Sequence, residues 1–181
     1  MFARTERLTL RPAWPEDAGA LAAAIGQQMV SRMLSRVPHP YGESDAAAWI
    51  AQPRGAEEPR FVILAHDGPQ PVLIGGIAIS PEMDGPNLGY WLAPDAWGRG
   101  YATEAGRAVI AMARHALPLQ RLNAWHFADN PASGKVLRKL GFRPTGETMS
   151  RRSAARAAPA PSIGYALDLA EEERAPLPIA A

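Results

Sequence analysis

The chain contains no cysteine, and that one absence removes disulfide frameworks, thiolate zinc sites and a cysteine nucleophile together. Nothing therefore points to an oxidising compartment. Long apolar runs are missing too: the longest, Val72 to Ile79, falls far short of the ~18 residues a membrane-spanning helix needs. The opening MFARTERLTLR has no apolar stretch of the kind a secretory signal carries. Nor is there charge of one sign, since 19 lysines and arginines stand against 18 aspartates and glutamates, for a net charge of +1. A protein held to nucleic acid by charge needs a concentrated basic surface, so neither a nucleic-acid nor a membrane partner is expected. A small anionic ligand in a local site stays open. What is present is a chain of 181 residues, 47% hydrophobic and 20% charged, enough for one well-cored domain. The expectation is a cytoplasmic protein with one domain over 1–170 and a loose tail over 171–181.

Periodicity supplies the elements. Leu8-Thr-Leu10-Arg before Pro12 predicts a short strand. Pro15, Glu16 and Asp17 open a helix whose apolar stripe is Ala18, Leu21, Ala22 and Ile25, with Gly26 closing it. A second short helix runs from an N-cap at Ser44 to Ile50 and stops at Pro53. The loop between them, Val37-Pro-His-Pro-Tyr-Gly, lies in the position of a substrate-covering loop. RFVILAH and VLIGGIAIS, parted by Asp67-Gly68-Pro69, read as an antiparallel hairpin, with Gly75-Gly76 marking a bulge or a close backbone approach. NLGYWL follows the turn Asp84-Gly85-Pro86 as a third strand. Gly100 to Ala116 is the clearest helix, with a stripe of Ala102, Ala105, Val109, Met112 and Ala116. RLNAWHF is a strand and Pro131 to Leu140 a helix, with Gly141 at C′ and Phe142 at C″ able to pack on Leu137. Pro144–Ala154 and Ser162–Leu169 complete the chain as strands. This order predicts a mixed, mostly antiparallel α/β sheet with helices on its faces. Trp14, Trp49 and Trp125 are expected in the core.

The segment richest in chemistry runs from Trp91 to Ala105, where a strand ends, a glycine loop follows and a long helix begins. The first amides of a helix have no internal partner, and the helix dipole adds partial positive charge there. Glycines let a phosphate approach, so the segment makes an anion cradle. It is not a P-loop, because the only Gly-Lys pair, Gly134-Lys135, continues with Val136. It is not a dinucleotide fingerprint either, because Thr103 stands where the third glycine is due. Taken alone, Gly98 and Gly100 also fit ordinary loop glycines before a capped helix.

Four motifs, in order, carry a family resemblance. They are Thr5-Glu-Arg7-Leu8-Thr-Leu10-Arg11-Pro12, Leu88-Gly89-Tyr90-Trp91-Leu92, Trp97-Gly98-Arg99-Gly100-Tyr101-Ala102, and Asn130-Pro-Ala-Ser133 continuing to Leu137-Arg-Lys139-Leu-Gly141-Phe142. Together they resemble the GNAT superfamily of acetyl-coenzyme A-dependent N-acetyltransferases, most of all the branch with the ribosomal-protein N-terminal acetyltransferases. Trp97 replaces the glutamine or arginine of the family signature. The resemblance implies a single-domain GNAT-like sheet splayed into a V between NLGYWL and RLNAWHF, with helices on both faces. It implies acetyl-coenzyme A as co-substrate, no metal, and direct acetyl transfer to a primary amine, either a protein N-terminus or a small molecule. A second copy of the chain stays open as a partner. The backbone of Trp91 and Leu92 would pair with pantetheine, the amides of Gly98, Arg99, Gly100, Tyr101, Ala102 and Thr103 would hold the pyrophosphate, and Asn130 would bond the pantetheine.

Ser133 is then the candidate proton donor to the departing thiolate, its plain alternative being a first-turn residue satisfied by local backbone. Asn130 also reads as an N-cap. Many members of the family place a glutamate near the start of the strand that here begins at Asn87, so the base is open between His126, whose ordinary pKa of ~6.5 suits the task but which also reads as packed on a sheet face, and a water chain. That missing glutamate also supports a rival reading, an acyl-coenzyme A-binding module without turnover. Glu82 and Asp84 read as exposed loop acids, and Arg151, Arg152 and Arg156 as solvated charges. The sharper alternative for those arginines is a surface for an acidic acceptor or the coenzyme's 3′-phosphate.

Overall fold

In a computed structural model, which describes residues 2–55 and 58–170, eight strands form one sheet. The elements in chain order are β1 (Ala3–Arg4), β2 (Leu8–Arg11), α1 (Ala18–Ile25), α2 (Gln28–Ser31), α3 (Glu43–Ile50), β3 (Arg60–Ala65), β4 (Val72–Glu82) and β5 (Gly85–Leu92). After them come α4 (Tyr101–Ala116), β6 (Arg121–Phe127), α5 (Pro131–Lys139), β7 (Arg143–Arg151) and β8 (Ala160–Asp168). The spatial order is β1-β2-β3-β4-β5-β6-β8-β7, and every neighbouring pair is antiparallel except β5 and β6. No helix among the described residues is long and apolar enough to cross a membrane. The tail expected at 171–181 lies outside the described residues.

Strand alternation fixes the layers. Phe61 and Ile63 of β3 enter one core with the buried side of α4, while Val62 between them joins α1 and α3 in a second. The sheet thus carries helices on both faces, as expected. The larger core holds Tyr101, Phe61, Leu88, Leu122 and Tyr165, all at most 2% exposed, and each such side chain contributes roughly 1.5–3 kcal/mol by burial. At the end of α5, Gly141 has φ +91°, its amide bonds Arg138 O at 3.1 Å, and the Phe142 amide reaches Leu137 O at 3.0 Å. That is the helix stop expected from Gly141 and Phe142.

Several expectations are corrected. The N-cap of α3 is Gly42, whose amide donates to the Asp45 carboxylate at 2.8 Å; Ser44 lies inside the helix. Asp45 stands three residues after Gly42 and returns the bond, a reach that Ser44 lacks. On α4, Ala113 is buried whereas Met112 is half-buried and Ala116 exposed, because a 3.6-residue period carries the stripe from Val109 to Ala113. Trp14 is 50% exposed and stacks on Arg11 at 3.8 Å. Trp49 and Trp125 are half-buried and line the main cleft. β1 and α2 had no local signal strong enough to predict them.

Candidate active site

The two parallel strands share a single register pair, Asn87 with Asn123, and part beyond it. The gap opens towards their C-terminal ends, where Leu92 and Phe127 lie. Its backbone chemistry follows from the phase of the β4–β5 ladder. Trp91 faces Gly76, and the next bond runs from Ala93 N–H to Ile74 O at 2.8 Å. The peptide groups of Trp91 are therefore used by β4, and those of Tyr90 and Leu92 face the gap. Of the two residues expected to pair with pantetheine, Leu92 presents its backbone and Trp91 does not. The Trp97 indole donates to Leu92 O at 2.8 Å, fixing the strand end against the loop.

The glycine loop follows. Gly98 and Gly100 have φ of +73° and +83°, a region other residues adopt only with strain. Gly100 is the N-cap of α4, and its carbonyl accepts from the amides of Thr103 and Glu104 at 3.1 Å each. The amides of Gly98, Arg99, Gly100, Tyr101 and Ala102 bond nothing among the described residues, which leaves a run of donors at a helix start. The loop is clamped from outside. Arg7 donates to Arg99 O at 3.1 Å and pairs with Glu104 at 2.7 Å, while Arg99 pairs with Asp67 at 2.8 Å and the Tyr101 hydroxyl bonds the same carboxylate. Burial opposes ionisation of Glu104, but hydrogen bonds from Thr5 and Arg7 outweigh it and hold the carboxyl below its ordinary value. The Arg99 side chain is thus directed to Asp67, and only its amide belongs to the cradle. Thr103 and Gly100 continue into an adjoining hollow that also receives Arg107 and Lys139.

The first turn of α5 closes one face of the gap. Asn130 caps it, its side chain accepting from Ser133 N–H at 3.3 Å. The Tyr90 hydroxyl reaches Ser133 O at 3.0 Å and Ser133 Oγ at 2.8 Å. Burial pushes the Tyr90 hydroxyl up to about 12, so it stays protonated at neutral pH. His126 is on the same face, buried, with Nδ1 2.8 Å from Phe127 O. A bond there makes Nδ1 the donor and leaves Nε2 as an acceptor. Among the described residues, Nε2 and the Tyr165 hydroxyl are buried without hydrogen-bond partners, both close under Gly134. A Cβ on Gly134 would stand 2.6 Å from Nε2, so glycine lets the turn settle on this pair.

The opposite face of the gap is different. Gly76 and Ala78 of β4 pair with Trp91 and Gly89 of β5, so these four share a side, together with Asn87 and Trp125. Trp125 donates to Glu82 at 3.3 Å across β5, and Arg151 stacks on Trp125 while pairing with Glu82. Asp129 is held by Arg32 and Arg156, and the hydrogen bond from Arg156 lowers its carboxyl below the ordinary range. Arg151 and Arg156 are therefore structural partners of cleft carboxylates, not solvated charges, and Glu82 is not a free loop acid. The cleft, which Met29 and Val30 of α2 also line, has a volume near 800 Å³.

Every expected site residue except Arg99 borders this cleft, and Ser133, Asn130, Leu92 and the glycines Gly98 and Gly100 converge on it. His126 is brought beneath Gly134 and not to the face of Gly89. Sequence reasoning passed over Tyr90, whose tyrosine sits in a quoted motif but whose partner is 43 residues away.

A parallel pair that parts beside a helix-start anion cradle suits a phosphate-bearing coenzyme whose arm enters between the strands. The profile of the acetyltransferase (GNAT) domain matches residues 7–143, and the chain belongs to that family. It is an acyltransferase, and family membership supports acetyl transfer from acetyl-coenzyme A. An uncharacterized N-acetyltransferase of Bacillus subtilis (strain 168), YoaA, is 28% identical over 160 residues, covering 78% of this chain and 82% of that protein. The ribosomal-protein-S5-alanine acetyltransferase of Vibrio fischeri shares the fold at 19% identity and a TM-score of 0.78, over 94% of this chain and 98% of its own. The microcin C7 self-immunity acetyltransferase MccE, solved with acetyl-coenzyme A and AMP, shares it at 18% identity and a TM-score of 0.74, over 91% and 93%.

Proposed function

We propose that the protein moves the acetyl group of acetyl-coenzyme A directly onto a primary amine, with no acyl-enzyme. The observation that carries this is the run of unpaired amides from Gly98 to Ala102 beside the parting of β5 and β6. The pyrophosphate lies on those amides with the Thr103 hydroxyl, and Arg107 and Lys139 take further phosphate charge. Their place beside Gly100 and Thr103 suits that task better than Arg151, Arg152 or Arg156. Leu92 and Tyr90 pair with pantetheine as an added strand would, and Asn130 borders the same arm.

The neutral amine attacks the thioester carbonyl, the C–N bond forms and the C–S bond breaks. The thiolate takes a proton from Ser133, and the amine nitrogen releases one to solvent, so protons balance. Ser133 takes the Tyr90 proton as it gives up its own, and Tyr90 recovers a proton from the solvent that received the amine's. His126 supports the Ser133 turn from below; as a base for the amine it would have to act across β5. The acceptor is a protein N-terminus or a small amine. A free-thiol release assay over a panel of N-terminal peptides and small amines tests the reading, and release that depends on no amine would overturn it.

A further inference from the structure

On the face opposite α5 the cleft has a floor with almost no side chains. A Cβ on Gly89 would find nothing within 4 Å, and its β4 neighbour is Ala78. The Trp91 indole lies over Gly76 at one end of this floor. At the other end the Trp125 indole is braced to Glu82. Met29, Met33 and Trp49 wall the outer side. Asn87 sits at the base of the trough, 7% exposed, and its carboxamide bonds nothing among the described residues. A carboxamide on a largely buried residue, with its polar atoms open to a cavity, is available to a ligand.

Charge narrows the class. Both carboxylates bordering the trough are already engaged, Glu82 with Arg151 and Asp129 with Arg32 and Arg156. Arg36 adds a positive charge at the rim. An ammonium ion gains little there, whereas a neutral nitrogen can donate to the Asn87 carbonyl and keep its lone pair for attack.

We infer that the acceptor is an aromatic primary amine, its ring on the Ala78–Gly89 floor between Trp91 and Trp125 and its neutral nitrogen hydrogen-bonded to Asn87. Flat rings stack well against indoles, and a weakly basic nitrogen needs no enzyme base, which suits an asparagine at this position. The inference rests on the acetyl-transfer reading and narrows its acceptor.

The test compares kcat/KM for aniline and 4-methylaniline with that for tripeptides beginning in Ala or Ser, in the wild-type protein and in Gly89→Val. Acetyl-coenzyme A affinity, measured by calorimetry, serves as the control for folding and for the donor site. The inference predicts a preference for the aromatic amines. It also predicts that Gly89→Val raises their KM about tenfold or more, as filling an apolar pocket does, with acetyl-coenzyme A affinity unchanged. A preference for the tripeptides, or an unaltered KM for the aromatic amines in Gly89→Val, overturns it. Failure of the wild-type protein to bind acetyl-coenzyme A would take down the donor reading first, and the acceptor inference with it.

Discussion

The Tyr90 hydroxyl lies 2.8 Å from Ser133 Oγ and 3.0 Å from Ser133 O, joining the centre of β5 to the first turn of α5 across the gap. When the tyrosine donates to the carbonyl, the Oγ contact is made by Ser133 donating to the tyrosine. When it turns to Oγ, the serine proton is free for the sulfur. A coenzyme thiol resembles a cysteine thiol, with a pKa of ~8.5, so its thiolate leaves with modest help. Ser133→Ala should therefore lower kcat about 10- to 100-fold, near the low end of general acid catalysis. Tyr90→Phe should lower it by up to about tenfold, with acetyl-coenzyme A affinity nearly unchanged. Stopped-flow thiol release checks both; a wild-type kcat in either variant removes that residue from proton delivery.

Gly100→Val should fail at the donor site. The φ of +83° strains any L side chain, although the nearest neighbour of an added Cβ is Arg7 Nη2 at 3.6 Å. The loop then shifts and its amides lose their common direction. Acetyl-coenzyme A affinity, by calorimetry, should fall about tenfold or more, since strain of this kind amounts to roughly 1–3 kcal/mol.

His126→Ala separates support from base catalysis. With a basic acceptor, such as a peptide N-terminus, turnover rises with pH because only the neutral amine attacks. With His126 beneath Gly134, the variant should lose rate through a disturbed Ser133 turn and keep the rising limb in place. A limb displaced or abolished in the kcat/KM profile would restore the histidine as base.

Arg11 and Asp17 form a half-hidden pair, with bonds of 2.6 and 2.8 Å, and Asp17 also caps Trp14 N–H at 2.7 Å. The Arg11 bond holds the Asp17 carboxyl below its ordinary value. Its contribution is thus complete above the unfolded value of ~3.9 and is lost as pH falls through the lower folded value. Asp17→Asn should cost about 2 kcal/mol at pH 7, the scale of a charged hydrogen bond. Against wild type, the difference should shrink in acid denaturation series.

What was legible in the sequence was local. Gly100 before Tyr101, and Gly141 before Phe142, announce a helix start and a helix stop because a positive φ is needed within one turn. The apolar run in RFVILA before the turn Asp67-Gly68-Pro69 placed β3, and Trp97-Gly98-Arg99-Gly100 placed the cradle. What was not legible depends on contacts distant in the chain. The Tyr90–Ser133 bond, the Glu82–Arg151 pair and the Arg156–Asp129 pair all need the sheet order before they can be seen. Which backbone groups face the gap depends on the ladder phase, which a one-residue shift would invert. That is why Trp91 and Leu92 read alike in sequence and differ in the fold.

The most direct measurement is a paired one, in which coenzyme A release and N-acetylated amine are quantified in the same reaction with acetyl-coenzyme A in excess. The account predicts equal amounts of the two products, both dependent on added amine and both reduced in Ser133→Ala. Tight acetyl-coenzyme A binding with thiol release no faster than spontaneous hydrolysis, across peptides and small amines alike, would contradict it and leave a binding module.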